Sequence, residues 1–252
     1  MTLRGSADPA HRAPLISAHR GGSETAPPGT SAAYRGALAA GADYLEFDVR
    51  ITADGELVAF HDARLRPGPP VAAASYSELC RAAGYEVPTT SGILELLAGQ
   101  PGTRRGGAHI DLKDPAAGPQ VVAQALARLE PDRVIVTSRD PATVRAVKSR
   151  YPEVGAALTI GGDAVQSVRH AVRWARPARW AETVAGAGAD WAAVQQRLAR
   201  IGVLAECHDR GVRTMLWTVN GDPSLRRWLA SLDVDVLVTD QPGRAAELRA
   251  VR

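Results

Sequence analysis

The chain has 252 residues, of which 45% are hydrophobic and 23% are charged. This is an ordinary globular composition, and it excludes a disordered or fibrous protein. The 30 Lys and Arg residues against 27 Asp and Glu residues give a formal net charge of +3. Because the basic residues are scattered along the chain, we expect no nucleic-acid partner.

The two cysteines and the apolar segments exclude several further classes of protein. Cys80 and Cys207 are isolated and form no C-x-x-C pair, so neither a disulfide scaffold nor a zinc site is indicated. No apolar stretch approaches the length of a membrane span, and Met1–Pro14 lacks the apolar run of a signal peptide. We expect a cytoplasmic protein without a membrane span, and the sequence leaves its oligomeric state open.

Short β-branched runs alternate with amphipathic stretches rich in Ala, Leu and Arg along the chain. The predicted strands are Leu15–Ala18, Tyr44–Val49, Ala108–Leu112, Arg133–Thr137, Gly155–Thr159, Asp190–Val194, Arg213–Thr218 and Val236–Thr239. The predicted helices are Ser31–Ala40, Gly92–Leu97, Pro119–Leu129, Pro141–Arg150, Ala164–Arg173, Ile201–Arg210, Pro223–Leu232 and Gly243–Arg249. This alternation predicts an α/β fold, a single TIM-type (β/α)8 barrel. An open doubly wound sheet is the alternative, but the Gly-rich dinucleotide turn expected after its first strand is absent from this chain.

One segment interrupts the alternation. Leu57–Phe60 is a further strand-like run, too close to the second strand for a parallel crossover. The Asp54-Gly55 pair before it is typical of a two-residue hairpin turn, whose register would pair Asp48 with His61. We therefore expect His61 to return beside the acidic end of the second strand, and residues 63–105 to form a small insertion in a single catalytic barrel domain.

Charged residues stand at the predicted carboxyl ends of the first two strands, where barrel enzymes place their active sites. His19 and Arg20 follow the first strand, and Glu46 and Asp48 share one face of the second. Two adjacent carboxylates repel each other unless a cation lies between them, and oxygen ligands select Mg²⁺ or Ca²⁺. The alternatives are a surface His-Arg pair and an exposed acidic strand end, although the apolar neighbours of Glu46 indicate a buried strand.

The third barrel strand ends in Asp111 and Lys113, again on one face. Asp111 would complete a three-carboxylate metal site, and Lys113 would contact a phosphate oxygen; a plain salt bridge between them is the alternative. Together with the two imidazoles of His19 and His61, these groups suit phosphoryl transfer. The cations would stabilise charge on the phosphate, and the imidazoles would transfer protons.

The sequence resembles the glycerophosphodiester phosphodiesterases in the segments Ala18–Ser23, Leu45–Val49 and Thr52–Asp62, which have the order and spacing of that family's motifs. Weaker similarities extend the resemblance over nearly the whole chain, in Val87–Thr89, Asp111–Lys113, Leu216–Asn220 and Val236–Pro242. The resemblance implies a barrel enzyme that uses a divalent metal, Mg²⁺ or Ca²⁺, to hydrolyse glycerophosphodiesters. The products would be glycerol 3-phosphate and an alcohol, and the partner would be a small-molecule phosphodiester.

The resemblance also implies a role for each matching residue. It implies acid/base catalysis by His19 and His61, metal ligation by Glu46, Asp48 and Asp111, phosphate contacts from Arg20 and Lys113, and a wall for the glycerol or leaving group from Trp217.

Two departures from the family pattern keep other functions open. Pro27–Thr30 stands where the family usually has Pro-Glu-Asn-Thr, and Glu24 is the nearby residue that would replace the lost carboxylate. Asp111 stands where the family usually has Glu, and Asp-x-Lys is similar to spider-toxin-like phospholipases D, which release cyclic phosphates. The alternatives are therefore a lyase that stops at a cyclic phosphate and a non-catalytic barrel that binds a phosphate ligand.

Overall fold

A computed structural model describes residues 13–100, 106–162 and 177–251. The strands in these ranges are β1 Leu15–Ala18, β2 Tyr44–Ile51, β3 Leu57–Ala59, β4 Gly107–Leu112, β5 Val134–Ser138, β6 Gly155–Ile160, β7 Trp191–Gln195, β8 Arg213–Trp217 and β9 Val236–Thr239. The α-helices are α1 Ser31–Ala39, α2 Tyr76–Ala83, α3 Thr90–Ala98, α4 Gly118–Leu126, α5 Pro141–Arg150, α6 Pro177–Gly186, α7 Gln196–Ala199, α8 Val203–His208, α9 Asp222–Leu229 and α10 Pro242–Ala250.

Eight of these strands form a closed parallel barrel. Neighbouring strands follow the order β1, β9, β8, β7, β6, β5, β4 and β2, and a pairing of β1 with β2 closes the ring. At this last junction Ser17 lies opposite Tyr44 and Ala18 opposite Leu45. The predicted TIM-type barrel is confirmed, and its carboxyl ends meet at one mouth.

Alternation along the strands divides the apolar residues into two cores. Side chains of one set point into the barrel, where Ile135, Trp191, Met215 and Val238 form a cluster. The other set packs under the surrounding helices in a larger cluster. Every helix in the described part of the chain is too short or too polar to cross a lipid bilayer.

Three helices of the structure, α2, α6 and α7, were not predicted, and one predicted helix lies outside the described residues. Helix α2 follows Ser75, whose side chain forms a capping box with Glu78, and it ends at the left-handed Gly84. Helix α6 directly follows the undescribed residues 163–176, and the helix predicted at Ala164–Arg173 lies outside the described residues.

The register of the hairpin differs from the prediction by one residue. Val49 pairs with Ala59, so Asp48 lies opposite Phe60, and the predicted pairing of Asp48 with His61 is wrong. The cause is a three-residue loop in place of a two-residue turn. The Thr52 amide donates to the Glu56 carbonyl at 3.0 Å, and the Thr52 hydroxyl accepts from the Glu56 amide at 3.0 Å.

Five residues of the segment expected to be an insertion form a small apolar cluster together with Val58 of β3. Its members are Val58, Leu65, Val71, Ala74, Leu79 and Val87. The carboxylate of Asp54 in the hairpin loop accepts from the Tyr76 amide at 3.0 Å, which ties α2 to the hairpin. Helix α3 packs against β4 and α4 and takes the place of the barrel helix between β2 and β4.

Candidate active site

One cavity of about 260 Å³ opens at the carboxyl ends of the barrel strands. All of the site residues predicted from the sequence line it, namely His19, Arg20, Glu46, Asp48, His61, Asp111, Lys113 and Trp217. The side chains that local motifs placed at strand ends therefore meet in one space.

Three carboxylates form an acidic cluster on β2 and β4. One oxygen from each of Glu46, Asp48 and Asp111 lies within 4.8 Å of the others. The cluster arises because Asp48 and Asp111 are direct neighbours in the β2–β4 register, with Glu46 on the same face. Burial, together with the charge of Asp48, raises the pKa of Glu46 to about 7. Burial and the neighbouring carboxylate therefore disfavour the ionised form of Glu46 in this cluster.

Two cations lie against this cluster. Lys113 Nζ is 3.0 Å from Asp48 Oδ1 and 2.5 Å from Asp111 Oδ2, so the alternative of an Asp-Lys salt bridge is also present. Arg20 Nε lies 2.9 Å from Asp48 Oδ2. Burial alone would raise the pKa of Asp48, but the charges of Lys113 and Arg20 hold it below its usual value. Asp48 therefore stays ionised at neutral pH.

The turn after β1 positions Arg20 through its backbone. Arg20 has a left-handed φ of +50°, and its amide donates to Glu46 Oε2 at 2.8 Å. Gly21 follows at φ +79°, and a Cβ there would lie 2.8 Å from the Tyr34 backbone nitrogen. The Gly29 amide donates to the Arg20 carbonyl at 2.7 Å. In this chain the segment Pro27–Thr30 supports the turn through this backbone contact.

His19 is held by a residue at the other end of the chain. Its Nδ1 lies 2.6 Å from Asp240 Oδ1, and Asn220 Nδ2 donates to Asp240 Oδ2 at 2.6 Å. Burial alone would lower the pKa of His19, yet the Asp240 hydrogen bond and the charge of Glu46 leave it above its ordinary value. Sequence reasoning did not assign a role to Asp240, although a carboxylate directly after the last barrel strand was a usable signal.

His61 lies at the rim, more exposed than His19. Its side chain is 46% exposed, against 24% for His19, and its Nδ1 lies 2.9 Å from Asp62 Oδ1. The Arg50 guanidinium donates to the His61 carbonyl at 2.9 Å and 3.1 Å, which fixes the backbone at this point. Because His61 lies beyond the end of β3, the one-residue change of register does not remove it from the cavity.

A third histidine lies at the buried floor of the cavity. His109 is only 4% exposed, and its Nδ1 lies 2.9 Å from the Ser17 hydroxyl. Burial, with a smaller contribution from the charge of His19, lowers the pKa of His109 to about 3. His109 is therefore a neutral group at physiological pH. It was assigned no role from the sequence, although it precedes Asp111 by two positions and shares its face of β4.

The far wall of the cavity contains Trp217 and Arg139. Trp217 Nε1 donates to the Ala193 carbonyl at 2.9 Å, which fixes the indole. The guanidinium carbon of Arg139 lies 5.8 Å from the centre of the Trp217 ring. Arg139 was not among the predicted site residues, because no local motif distinguishes it from the many other arginines of this chain.

Glu24 does not supply the missing carboxylate. Its two carboxylate oxygens accept from the amides of Gly243 and Arg244, at 2.7 Å and 3.0 Å, at the start of α10. A carboxylate is favourable there because the first amides of a helix have no partner within the helix. The hypothesis that Glu24 replaces the family's glutamate is wrong, since its carboxylate is engaged as a helix cap.

Comparison with known proteins identifies the same family as the motifs do. The model of the "Glycerophosphoryl diester phosphodiesterase family" matches residues 19–94 and 113–244, which is most of the chain. A "Glycerophosphodiester phosphodiesterase" of Caldanaerobacter subterraneus subsp. tengcongensis is 25% identical over 90% of this chain and 94% of that protein. The "Probable glycerophosphodiester phosphodiesterase 1" of two Mycobacterium tuberculosis strains is 56% identical over 52 residues. This match covers 21% of this chain and about a fifth (19%) of each of those two proteins.

Solved structures share the architecture. A glycerophosphodiester phosphodiesterase from Agrobacterium tumefaciens str. C58 has a TM-score of 0.69 at 27% identity, over 92% of this chain and 99% of that one. An Oleispira antarctica phosphodiesterase, solved with the product sn-glycerol-3-phosphate, has a TM-score of 0.70 at 19% identity, over 94% of this chain and 96% of that one. Since the family match covers both the acidic strand β2 and the last barrel strand, this chain belongs to the glycerophosphoryl diester phosphodiesterase family.

Proposed function

We propose that this protein is a metal-dependent phosphodiesterase that hydrolyses glycerophosphodiesters to glycerol 3-phosphate and an alcohol. The observation that carries the proposal is the meeting of an acidic cluster, two imidazoles and two cations in one cavity. The family and the sn-glycerol-3-phosphate bound to the Oleispira antarctica neighbour support the substrate class. A cytoplasmic location belongs to the same proposal and rests on the sequence alone.

Glu46, Asp48 and Asp111 would hold the divalent cation. Their fit rests on close approach, on burial, and on Asp48 Oδ2, which is in ion-pair contact with Arg20 but accepts no hydrogen bond from the described residues. The raised pKa of Glu46 agrees, because a bound cation would offset the charge that burial disfavours. All three ligands offer oxygen, which suits Mg²⁺ or Ca²⁺. When bound, such an ion polarises a phosphoryl oxygen and offsets the charge that develops there.

Arg20 and Lys113 would bind the phosphate. A lysine ammonium has three donors, and in Lys113 two of them are directed at Asp48 and Asp111. The third is left for a non-bridging oxygen of the substrate. Trp217 would border the glycerol or the leaving group, since its indole is held at the wall by the Ala193 carbonyl.

His19 and His61 would transfer the protons. A carboxylate at Nδ1 favours the tautomer whose proton is on Nδ1, so Nε2 is left to face the substrate. Asp240 provides this contact for His19 and Asp62 provides it for His61. One imidazole would take the proton of the attacking hydroxyl or water at Nε2, and the other would give a proton to the leaving oxygen.

Release of a cyclic phosphate is the second candidate function. It is favoured by the Asp111–Lys113 salt bridge, the pattern in which this chain is similar to the spider-toxin-like phospholipases D. In this reaction a neighbouring substrate hydroxyl attacks phosphorus and the headgroup alcohol leaves, so the cyclic ester is the final product.

The test is phosphorus NMR of the products that the purified protein forms from glycerophosphocholine and glycerophosphoinositol, with Mg²⁺, with Ca²⁺ and with excess chelator. Glycerol 3-phosphate supports hydrolysis, and a persistent cyclic ester supports the lyase. Full activity in chelator would reject the metal site.

His19→Ala and His61→Ala test the proton-transfer roles, and His208→Ala is the matched control because His208 does not line the cavity. We expect each of the first two substitutions to lower kcat by about 100-fold or more and the control to leave it unchanged. Undiminished turnover in both cavity variants would reject the proposed acid/base pair.

A further inference from the structure

His61 lies on a segment that leaves the barrel after β3, and one arginine of β2 joins it back to the barrel. The Arg50 guanidinium donates to the His61 main-chain carbonyl from Nε at 3.1 Å and from Nη2 at 2.9 Å. Within the described ranges these are the hydrogen bonds of Arg50, and it forms no ion pair there. Because Arg50 follows Asp48 by two positions, the strand that carries two members of the acidic cluster also holds His61.

The other hydrogen bond of His61 does not fix it relative to the barrel. Its Nδ1 lies 2.9 Å from Asp62 Oδ1, but Asp62 is the next residue of the same segment and moves with it. His19 differs in this respect, because its partner Asp240 directly follows a barrel strand. In the part of the chain that the structure describes, the Arg50 contact is therefore the one that joins His61 itself to the barrel.

Charge and local geometry favour this position of the guanidinium. Arg50 is half-buried, and the carboxylates of Asp48 and Asp114, near the ends of β2 and β4, attract its charge. Two N–H groups of one planar fork on a single carbonyl oxygen restrict both the distance and the direction of that oxygen. The Phe60 amide donates to the Asp48 carbonyl at 2.9 Å, so Arg50 extends the link between the hairpin strands by one residue, to His61.

We propose that Arg50 is a positioning residue that holds the His61 imidazole at the distance from the acidic cluster that proton transfer requires. The inference rests on the proposed phosphodiesterase function, in which His61 is one of the two proton-transfer groups. Arg50 does not line the cavity, so it acts on turnover through His61 and makes no contact with substrate. Because displacement of a reacting group by about 1 Å can cost up to about 100-fold in rate, its loss should lower kcat and leave KM nearly unchanged.

The test is a double-mutant cycle of Arg50→Met and His61→Ala, with whichever of glycerophosphocholine and glycerophosphoinositol is turned over faster. His61→Ala keeps the main-chain carbonyl, so it keeps both hydrogen bonds and loses only the imidazole. We expect Arg50→Met to lower kcat about tenfold in the wild-type background, with KM within about twofold. In the His61→Ala background the same substitution should change kcat by less than about twofold.

Arg64→Met is the matched control for this cycle. Arg64 is an exposed arginine of the same segment, and it donates to a different main-chain carbonyl, that of Gly68, at 3.2 Å. It does not line the cavity, so its substitution should leave kcat unchanged in both backgrounds.

Urea unfolding separates the positioning role from a merely structural one. Arg50→Met should lower the unfolding midpoint equally with and without the imidazole, whereas kcat should fall only when the imidazole is present. A general loss of stability, or of positive charge near the acidic cluster, would lower kcat by the same factor in both backgrounds and overturn the inference. Undiminished kcat in Arg50→Met would also overturn it. If Arg50→Met does not unfold cooperatively, Arg50→Lys enters the same cycle, with an expected loss of about threefold because it keeps the charge but not the fork.

Failure of the proposed function would give a different result. Undiminished turnover in His61→Ala would contradict the acid/base role, and the positioning is then read by hydrogen exchange. The amides of residues 60–63 should exchange about fivefold or more faster in Arg50→Met than in the wild type, because the segment loses its link to β2. Equal exchange rates in the two proteins would overturn the positioning of His61 by Arg50.

Discussion

Asp240 and His19 are in contact although 221 positions separate them along the chain. Asp240 follows β9 and His19 follows β1, and these two strands are neighbours in the ring. The contact therefore spans the junction between the first and last strands of the barrel. A carboxylate in this position fixes both the orientation and the tautomer of an imidazole.

Asp240→Asn should lower kcat about 10-fold to 100-fold and leave KM nearly unchanged, because the imidazole loses its fixed tautomer but stays in the cavity. Since the Asp240 carboxylate raises the pKa of His19, the limb of the pH–rate profile that depends on His19 should also move to lower pH. Steady-state kinetics across pH measure both effects. Asp132→Asn, at an exposed acidic residue outside the cavity, is the control. An unshifted limb would show that Asp240 does not act through His19.

Glu46→Gln should abolish metal-dependent turnover and yet stabilise the protein in chelator at pH 8. The folded-state pKa of Glu46 is about 7, above its ordinary value of 4.5, so the ionised carboxylate opposes folding increasingly as the pH rises above 4.5. Glutamine keeps the acceptor for the Arg20 amide. We expect an increase of about 2 kcal/mol in the free energy of unfolding at pH 8 and little difference at pH 4. Urea titrations at the two pH values provide the measurement, and lower stability of the variant at pH 8 would contradict the explanation.

His208→Gln should remove a small stabilising contribution that is present only at low pH. A hydrogen bond to Asp235 is the main cause of the raised pKa of His208. A raised pKa stabilises the fold fully below the unfolded pKa of about 6.5, and this contribution is lost as the pH rises through the folded value. Because the pair is partly exposed, we expect about 0.5 kcal/mol at pH 5.5 and none at pH 9. Thermal unfolding of both proteins at these pH values is the measurement; equal losses at the two values would refute the assignment.

Glu24→Ala should destabilise the fold by about 1 kcal/mol and leave the metal affinity unchanged. The carboxylate of Glu24 caps the first amides of α10 and does not line the cavity. Denaturant unfolding measures the first quantity, and calorimetric titration with Mg²⁺ or Ca²⁺ measures the second. A tenfold weaker metal affinity would place Glu24 in the metal site after all.

The sequence predicted those parts of the fold and site that local patterns determine. Strand β1 and helix α5 have their predicted bounds, because apolar runs and a Pro at the helix start mark them clearly. Glu46 and Asp48 were found because alternation along one strand is a local property. Even α2 carried a readable signal, the capping box of Ser75 and Glu78, that the prediction did not use.

The contacts that escaped prediction depend on distant parts of the chain or on a single loop side chain. The pairing of Asp240 with His19 forms only when the first and last strands meet in a closed ring. The approach of Arg139 to Trp217 depends on the distance between two strand ends across the mouth of the barrel. The register of β3 is set by the hairpin loop, in which the Thr52 hydroxyl accepts a hydrogen bond from the Glu56 amide. This loop has three residues, one more than the predicted two-residue turn. None of these relations appears as a pattern of neighbouring residues.

The backbone segments that carry the two imidazoles are supported by apolar clusters of different size. His19 rests on the barrel itself, whereas His61 depends on the packing of Val58 and Leu79 in a cluster of a few side chains. Such a small unit opens more readily than the barrel, so its amides should exchange hydrogen sooner. A substitution at Leu79 would then increase the mobility of His61 and leave His19 in place. The two members of the acid/base pair can therefore be altered independently by substitutions outside the cavity.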